Sequence, residues 1–249
     1  MSGHSKWATI KHKKGAADKA RGKLWAKLIR QVEVAARAGG GDIEANPTLR
    51  TMVDKAKGAS VPNDTIDRAI KRAAMAGQGE DYQEVRYEGY GPYGVAVIVE
   101  ALTDNRNRTA GDLRSAFAKA GGALGETNSV AFQFERKGIL WFPGLADKAE
   151  AMLEAAIEAG ALDVESDEEG HEVTCAPEDF FAVRDSLEAV FGSPESAKVE
   201  WVPNVRIDLD EDKAREILKL LERLDESDDV QNVYANFEVS EAVSERLSA

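Results

Sequence analysis

Residues 85–100 read VRYEGYGPYGVAVIVE, and this stretch marks the change from helix-forming to strand-forming sequence. Residues 85–88 and 95–100 have the apolar, β-branched pattern of strands, and a glycine-rich segment at 89–94 joins them. The three glycines also match the Gly-x-Gly-x-x-Gly loop of dinucleotide-binding proteins, which requires a helix directly after the last glycine. Because a strand follows instead, we predict a turn that links two strands.

The chain before this stretch is predicted to be helical from residue 18 to residue 76. The glycines at 39–41 end a first helix that begins at residue 18. Asn46 and Pro47 begin the second helix, as its cap and first turn, and the third helix begins near Pro62. Short connections between amphipathic helices indicate a small bundle. We therefore assign residues 1–79 to a basic N-terminal helical domain.

The first predicted helix has one apolar face and one cationic face on a helical wheel of about 100° per residue. The apolar side chains are Leu24, Leu28, Ile29, Val32, Ala35 and Ala36. The cationic side chains on the opposite side are Lys19, Lys23, Lys27, Arg30 and Arg37. We expect the first set to pack inside the bundle and the second set to be available for binding.

Beyond residue 80 the sequence pattern predicts three further segments. Residues 82–135 are predicted to form β–β–α–β, with the third strand at 130–134. Residues 138–203 are predicted to form β–α–β–β–α–β, which is the ferredoxin-like order. Residues 204–240 close the chain with a β–α–β unit whose last strand covers 230–239.

The first and last of these segments are incomplete, so we expect them to complete each other. This predicts a discontinuous α+β domain of residues 80–137 plus 204–240, with an acidic ferredoxin-like α+β domain of residues 138–203 inserted into it. Insertion is tolerated where the ends of the inserted domain lie close together. The predicted fold class is α+β multidomain: an N-terminal helical bundle plus two ferredoxin-like α/β domains, one of them discontinuous.

Charge is distributed unevenly along the chain, which has a formal net charge of −13. Residues 1–76 carry 16 basic and 7 acidic side chains, whereas residues 77–249 carry 16 basic and 38 acidic ones. An asymmetry of this size suggests that the basic end binds a polyanion. The alternative is a solvated basic face without a partner.

The most basic segment precedes the first helix and contains Trp7. Lysines neutralise phosphates and release counterions, and an indole can stack on an unpaired base. Trp7 could equally anchor this segment on the helical bundle. The nucleic-acid-binding residues that we predict are Lys6, Trp7, Lys11, His12, Lys13, Lys14, Lys19, Lys23, Lys27 and Arg30.

Residues 103–109 read TDNRNRT and lie between a predicted strand and a helix N-terminus. Free amide groups and the helix dipole favour an anion there. Arg106, Asn107 and Arg108 therefore form a candidate phosphate or anion site. An Asx turn that caps the helix explains the same residues equally well.

Few residues suit catalysis or metal binding. The single cysteine, Cys175, excludes an internal disulfide and a multi-thiolate metal site, and it is expected in the core. We predict no catalytic residues, no metal and no cofactor, and an enzyme is the least favoured class. A segment of about 18 apolar residues is lacking, as is a secretory signal, so we expect a cytoplasmic protein without a membrane partner.

Several stretches between residues 3 and 138 form a recognisable set. They read GHSKW at 3–7, IKHK at 10–13, GGGD at 39–42, EANP at 44–47, RAIKR at 68–72, YEGYGP at 87–92, TDNRNRT at 103–109, SVA at 129–131 and KG at 137–138. In these stretches the chain resembles the YebC/PmpR family, whose mitochondrial relatives include a translational activator of cytochrome c oxidase. Departures are Ile43, Tyr93 and Asn128, where the family commonly has proline, glycine and glycine.

The resemblance implies three domains, one of them discontinuous. It also implies a cytoplasmic, DNA-binding transcriptional regulator, although other members act on the ribosome and help translation through difficult sequences such as proline runs. The net charge of −22 over residues 77–249 would repel an extended duplex and favours structured RNA. We therefore expect a nucleic-acid-binding regulator of gene expression whose first expected partner is DNA. The alternative is that it binds ribosomal RNA on the ribosome and relieves stalling. The sequence does not predict an oligomeric state.

Overall fold

A computed structural model describes residues 18–75 and 82–248 of the chain. The N-terminal helices are α1 (Asp18–Gly39), α2 (Pro47–Gly58) and α3 (Asn63–Ala74). Their apolar sides enclose one core, whose fully buried members include Val32, Leu49, Ala56 and Ala69. Helices α2 and α3 have 12 residues each and would be marginal alone, so this shared core stabilises them.

Asn46 fixes the corner between α1 and α2. Its Oδ1 accepts the backbone N–H of Leu49, which caps α2, and its Nδ2 donates to the carbonyls of Ala35 and Gly40. A Cβ at Gly39 would lie 2.6 Å from this amide. The GGGD and EANP stretches therefore serve one local structure, the turn between two helices.

Leu24 departs from the predicted apolar face of α1. Its side chain is 48% exposed, whereas Trp25 packs against the core of the bundle and donates its Nε1–H to the carbonyl of Ala59. The expectation that Leu24 packs inside is wrong. The segment after α2, which includes Ala59, packs on the side of α1 that carries Trp25.

The first sheet has the strand order β3-β1-β2-β9, and all its neighbours are antiparallel. Its strands are β1 (Gln83–Tyr90), β2 (Ala96–Thr103), β3 (Ala123–Leu124) and β9 (Val230–Ala235). Helices α4 (Arg106–Lys119) and α7 (Glu211–Asp225) cover one face. Leu113 and Phe117 of α4, with Ile217 and Leu221 of α7, pack there against Val97 and its neighbours.

The predicted turn at 89–94 is confirmed, since it joins β1 to β2 and is followed by a strand. A Cβ at Gly89 would lie 2.7 Å from the carbonyl oxygen of Ala123, and one at Gly91 would lie 3.0 Å from Leu220. These glycines permit close packing, which explains their spacing without a nucleotide.

The second sheet has the order β5-β6-β4-β7 and is also antiparallel. Its strands are β4 (Phe134–Pro143), β5 (Asp163–Ser166), β6 (Gly170–Cys175) and β7 (Ser196–Pro203). Helices α5 (Ala149–Glu158) and α6 (Phe180–Phe191) follow β4 and β6. Elements 134–203 thus occur in the order β–α–β–β–α–β, and Leu140, Met152, Val183 and Leu187 lie in their core.

The strand predicted at 130–134 is absent from the described residues, and a short 3-10 turn, Ala131–Gln133, stands in its place. The buried carboxylate of Glu88 accepts the backbone N–H groups of Asn128, Val130 and Ala131. These donors are therefore not available to a neighbouring strand. The predicted domain boundary at 137/138 falls inside β4.

The strand predicted at 230–239 is two strands. Asn236 separates β9 from β10 (Phe237–Glu238), which pairs in parallel with β8 (Ile207–Asp208). The Asn236 side chain accepts the N–H of Ala96 and its carbonyl accepts that of Ile207, so this residue redirects the chain between two sheets. Helix α8 (Glu241–Ser248), which the sequence analysis did not predict, follows.

The two larger sheets contact each other through an apolar cluster. Ala96, Ile98 and Tyr234 of the first sheet pack against Phe134 and Trp201 of the second. Trp201 also donates its Nε1–H to Glu100 at 2.9 Å. The strand β9 joins the first sheet although the whole second sheet precedes it in the chain. The fold is mixed α/β, as the sequence predicted at that level, and its two four-stranded sheets are antiparallel.

Candidate nucleic-acid interface

The predicted nucleic-acid-binding residues divide into two sets. Lys6, Trp7, Lys11, His12, Lys13 and Lys14 lie outside the described residues. The backbone of Lys19 lies in α1, and its side chain is likewise not described. The structure therefore places three predicted side chains, those of Lys23, Lys27 and Arg30.

Lys23 and Lys27 contact the C-terminal end of α7. The Lys23 ammonium donates to the carbonyl of Glu226 at 3.0 Å. The Lys27 ammonium donates to the carbonyl of Asp225 at 2.7 Å and lies 3.4 Å from its carboxylate. Free carbonyl groups give the C-terminus of a helix a partial negative charge that attracts cations.

Arg30 lies one turn farther along the same face and contacts the turn that leads into β9. Its Nη1 donates to the carbonyls of Leu102 and Asp228, and it lies 3.3 Å from the Asp229 carboxylate. The guanidinium also stacks on Tyr82, 4.5 Å from the ring centre. Lys27 and Arg30 are therefore mostly covered in the described conformation, whereas Arg37 of the same predicted face is exposed.

Asp229 connects this contact to the start of α4. Its carboxylate accepts hydrogen bonds from Arg108 at 2.9 Å and Thr109 at 2.7 Å, and from Thr103 at 3.2 Å. Burial opposes ionisation of Asp229, but the hydrogen bonds and the charge of Arg108 outweigh it and hold its pKa below the usual value. One buried carboxylate thus joins α1, β2 and α4.

The candidate anion site at the start of α4 is capped by the chain itself. The Asn105 side chain accepts the N–H of Arg108, and the Arg108 guanidinium pairs with Asp104 and Asp229. This is the predicted Asx alternative. Arg106 and Asn107 are exposed beside an open groove of about 550 Å³, so anion binding by these residues stays a prediction.

A second groove, of about 680 Å³, lies where α1, α4 and the chain after α7 meet. Its basic side chains are Lys23, Arg30, Arg108, Lys119 and Arg223, and its acidic ones are Asp104, Asp112, Glu226, Asp228 and Asp229. Positive and negative groups balance here, so the groove does not attract an anion by net charge.

The N-terminal helices meet the rest of the described chain through polar contacts. Every side chain of their apolar cluster comes from residues 25–73. Besides the three cations, Gln31 hydrogen-bonds Gln231, and Arg184 of α6 donates to the Thr51 hydroxyl. By contrast, an apolar cluster joins the two sheets. Polar interfaces of this kind allow relative motion of domains.

Other cations of the N-terminal helices face solvent. Lys57 at the end of α2 and Lys71 of α3 are exposed, as is Arg68, which is bonded to the Asp64 carbonyl of its own helix. None of these three residues is among the predicted nucleic-acid-binding residues, although Arg68 and Lys71 lie in a helix that was predicted to be amphipathic. Arg21, Arg37, Lys55 and Arg72 are exposed as well, so the accessible basic surface in the described residues extends over all three N-terminal helices.

Cys175 is fully buried in the second sheet, as predicted. Burial raises the pKa of its thiol to about 11, so the thiol is protonated and a poor nucleophile. Within residues 18–75 and 82–248, no group of three potential metal-binding side chains occurs. No helix in these same ranges is long and apolar enough to cross a membrane.

Comparison with known proteins covers nearly the whole chain. Residues 5–76 match the family described as TACO1/YebC protein N-terminal domain, and residues 82–237 match TACO1/YebC second and third domain. A protein of Geotalea uraniireducens (strain Rf4) named "Probable transcriptional regulatory protein" is 52% identical over 247 residues, 99% of this chain and 100% of the relative. The crystal structure of a conserved hypothetical protein from Aquifex aeolicus has a TM-score of 0.79 and 47% identity, covering 90% of this chain and 93% of that one.

Proposed function

This chain belongs to the TACO1/YebC family, and we propose that it is a cytoplasmic, nucleic-acid-binding regulator of gene expression without catalytic activity. The observation that carries the proposal is the separation of charge, with 16 basic and 7 acidic side chains in residues 1–76 of a chain whose net charge is −13. The basic N-terminal domain contacts phosphates, and the acidic remainder limits how much of the protein approaches them.

Regulation of transcription by binding of duplex DNA is the first form of the proposal. The name of the Geotalea relative supports it. In this form the basic segment before α1 and the exposed cations of α2 and α3, including Lys57 and Lys71, contact the phosphates of both strands. Contacts of this type position a protein on DNA without reading its sequence.

Binding of ribosomal RNA is the second form, in which the protein assists translation. The net charge of −22 over residues 77–249 favours it, because such a charge repels a long duplex but tolerates a compact folded RNA. The acidic domains would then face solvent or basic proteins of the ribosome.

A titration of the full chain tests both forms. Promoter duplex, a ribosomal RNA fragment and intact ribosomes are compared at several salt concentrations. Charge reversal at Lys11, Lys13 and Lys14, or at Lys57 and Lys71, should weaken binding, and each lost phosphate contact should reduce the salt slope by about 1.

The matched control is Lys148→Glu with Lys219→Glu, two exposed lysines outside the N-terminal domain. This control should bind like the unaltered protein. Equal affinity and salt slope for every variant and all three targets would reject the proposal. Retention on ribosomes at physiological salt, with weak binding to duplex DNA, would select the translational form.

A further inference from the structure

We propose that residues 225–229 act as an internal polyanion that covers the cationic face of α1, and that nucleic acid must displace this acidic turn to bind there. The inference rests on the proposed function, because it concerns the regulation of the same basic domain. It starts from the contacts of Lys23, Lys27 and Arg30 with this acidic turn.

The acidic turn has the chemistry of a phosphate backbone. It reads DESDD, with four carboxylates in five residues. It also follows the C-terminus of α7, whose free carbonyls carry a partial negative charge. Lys27 contacts both the carbonyl and the carboxylate of Asp225. Arg30 contacts the carbonyl of Asp228 and the carboxylate of Asp229, and Lys23 contacts the carbonyl of Glu226.

The contact is suited to exchange. It consists of ion pairs and hydrogen bonds, and the apolar cluster of the N-terminal helices includes no side chain from beyond residue 73 in the described chain. Releasing α1 therefore exposes little apolar surface. A polyanion that offers phosphates to the same cations replaces interactions of the same kind, and salt weakens the original contact by screening.

The consequence for affinity follows from population arithmetic. A face that is free in only a fraction of the molecules binds with an apparent dissociation constant larger by the inverse of that fraction. If the acidic turn covers α1 in about nine molecules of ten, removing the cover should increase the apparent affinity about tenfold.

The first test removes three of the four carboxylate charges of the acidic turn. The variant carries Asp225→Asn, Glu226→Gln and Asp228→Asn, and it keeps Asp229 because that residue also holds α4. We expect the variant to bind a short RNA hairpin or DNA duplex about tenfold more tightly than the unaltered protein.

The matched control carries Glu150→Gln, Glu154→Gln and Glu158→Gln on the exposed side of α5, which changes the net charge by the same amount. Equal gains in the two variants would show a general charge effect and overturn the proposal.

The second test locks the cover in place. The side chains of Gln31 and Gln231 are hydrogen-bonded at 3.0 Å, so cysteines at these positions can be joined by a short, cleavable thiol cross-linker. Cys175 is buried with its thiol pKa raised to about 11, which makes labelling selective for the introduced pair. The locked protein cannot free this face, so it should lose binding there and bind more weakly than the same protein after cleavage. Equal binding before and after cleavage would overturn the proposal.

A distance measurement separates this inference from the proposed function. Spin labels at Asp54→Cys and Lys219→Cys, both exposed, report the separation of α2 and α7. Heparin, used as a simple polyanion, and the triple variant should each lengthen or broaden this distance. An unchanged distance both with heparin and in the triple variant would overturn the proposed internal cover. A changed distance in a protein that binds neither DNA, RNA nor ribosomes would overturn the proposed function but not the cover.

Discussion

Arg30 and Asp229 lie 3.3 Å apart, Nη1 to Oδ1, although 199 positions separate them in the chain. The carboxylate also binds Arg108, Thr103 and Thr109. A single acidic side chain therefore contributes both to the core of the first sheet domain and to the attachment of the N-terminal helices. The contact explains why the cationic face of α1 is not simply a solvent-exposed surface.

Asp229→Ala should lower the free energy of unfolding by about 2–4 kcal/mol, because two threonine hydroxyls and Arg108 lose their buried acceptor. Urea denaturation measures this change. The control is Asp228→Ala, whose exposed side chain is next in sequence and should change stability by less than about 0.5 kcal/mol. Equal effects of the two substitutions would contradict the role assigned to the Asp229 carboxylate.

Stability should fall at acid pH through Asp229. The folded state holds its pKa below the usual value, so the folded protein binds the proton more weakly than the unfolded chain does. This stabilisation is fully present above about pH 4, the ordinary pKa of aspartate, and is lost as the pH falls through the lower folded-state value. Urea titrations between pH 3 and pH 7 should show a weaker acid dependence for Asp229→Asn than for the unaltered protein, and parallel curves would exclude this carboxylate as the source.

Glu88→Ala should release the loop at 128–131. The carboxylate accepts three backbone N–H groups and pairs with Arg86 at 2.9 Å, and its side chain is fully buried. We expect a loss of about 3 kcal/mol and faster amide hydrogen exchange at Asn128, Val130 and Ala131. Glu84→Ala, on the exposed part of the same strand, should leave exchange in this loop unchanged. Unaltered exchange in Glu88→Ala would show that other contacts hold the loop.

Two glycine substitutions should have opposite effects. Gly91→Ala places a Cβ 3.0 Å from Leu220 and 3.1 Å from Ile217, so it should destabilise the protein by about 1–3 kcal/mol through overpacking. Gly111→Ala lies inside α4 with open space around the new Cβ and should stabilise the protein by about 0.5–1 kcal/mol. Thermal unfolding of both variants measures the difference, and a shift of the same sign in both would contradict the packing argument.

Local features of the fold were predictable because they depend on neighbouring residues. Asn46 and Pro47 begin α2 as expected, and the turn at 89–94 joins two strands. The resemblance to the YebC family was based on short stretches of sequence, and the family matches over residues 5–76 and 82–237 confirm it. The strand at 130–134 was wrong because its backbone donors bind Glu88, about 40 positions earlier, and no local pattern contains that information.

The candidate site was predictable in composition but not in arrangement. The helical wheel correctly grouped Lys23, Lys27 and Arg30 on one side of α1, since that grouping follows from helix geometry alone. It could not indicate that Lys23, Lys27 and Arg30 meet residues 225–229 whereas Arg37 stays exposed.

The sequence by itself determined most of the helices and strands, the family and the concentration of positive charge at one end. Periodicity, capping and composition are properties of short segments or of simple counts. The tertiary structure decided which cations face solvent and which face the acidic turn. That outcome depends on how the N-terminal helices dock beside α7, through polar contacts between residues about 200 positions apart, and such contacts exist only once the domains have packed.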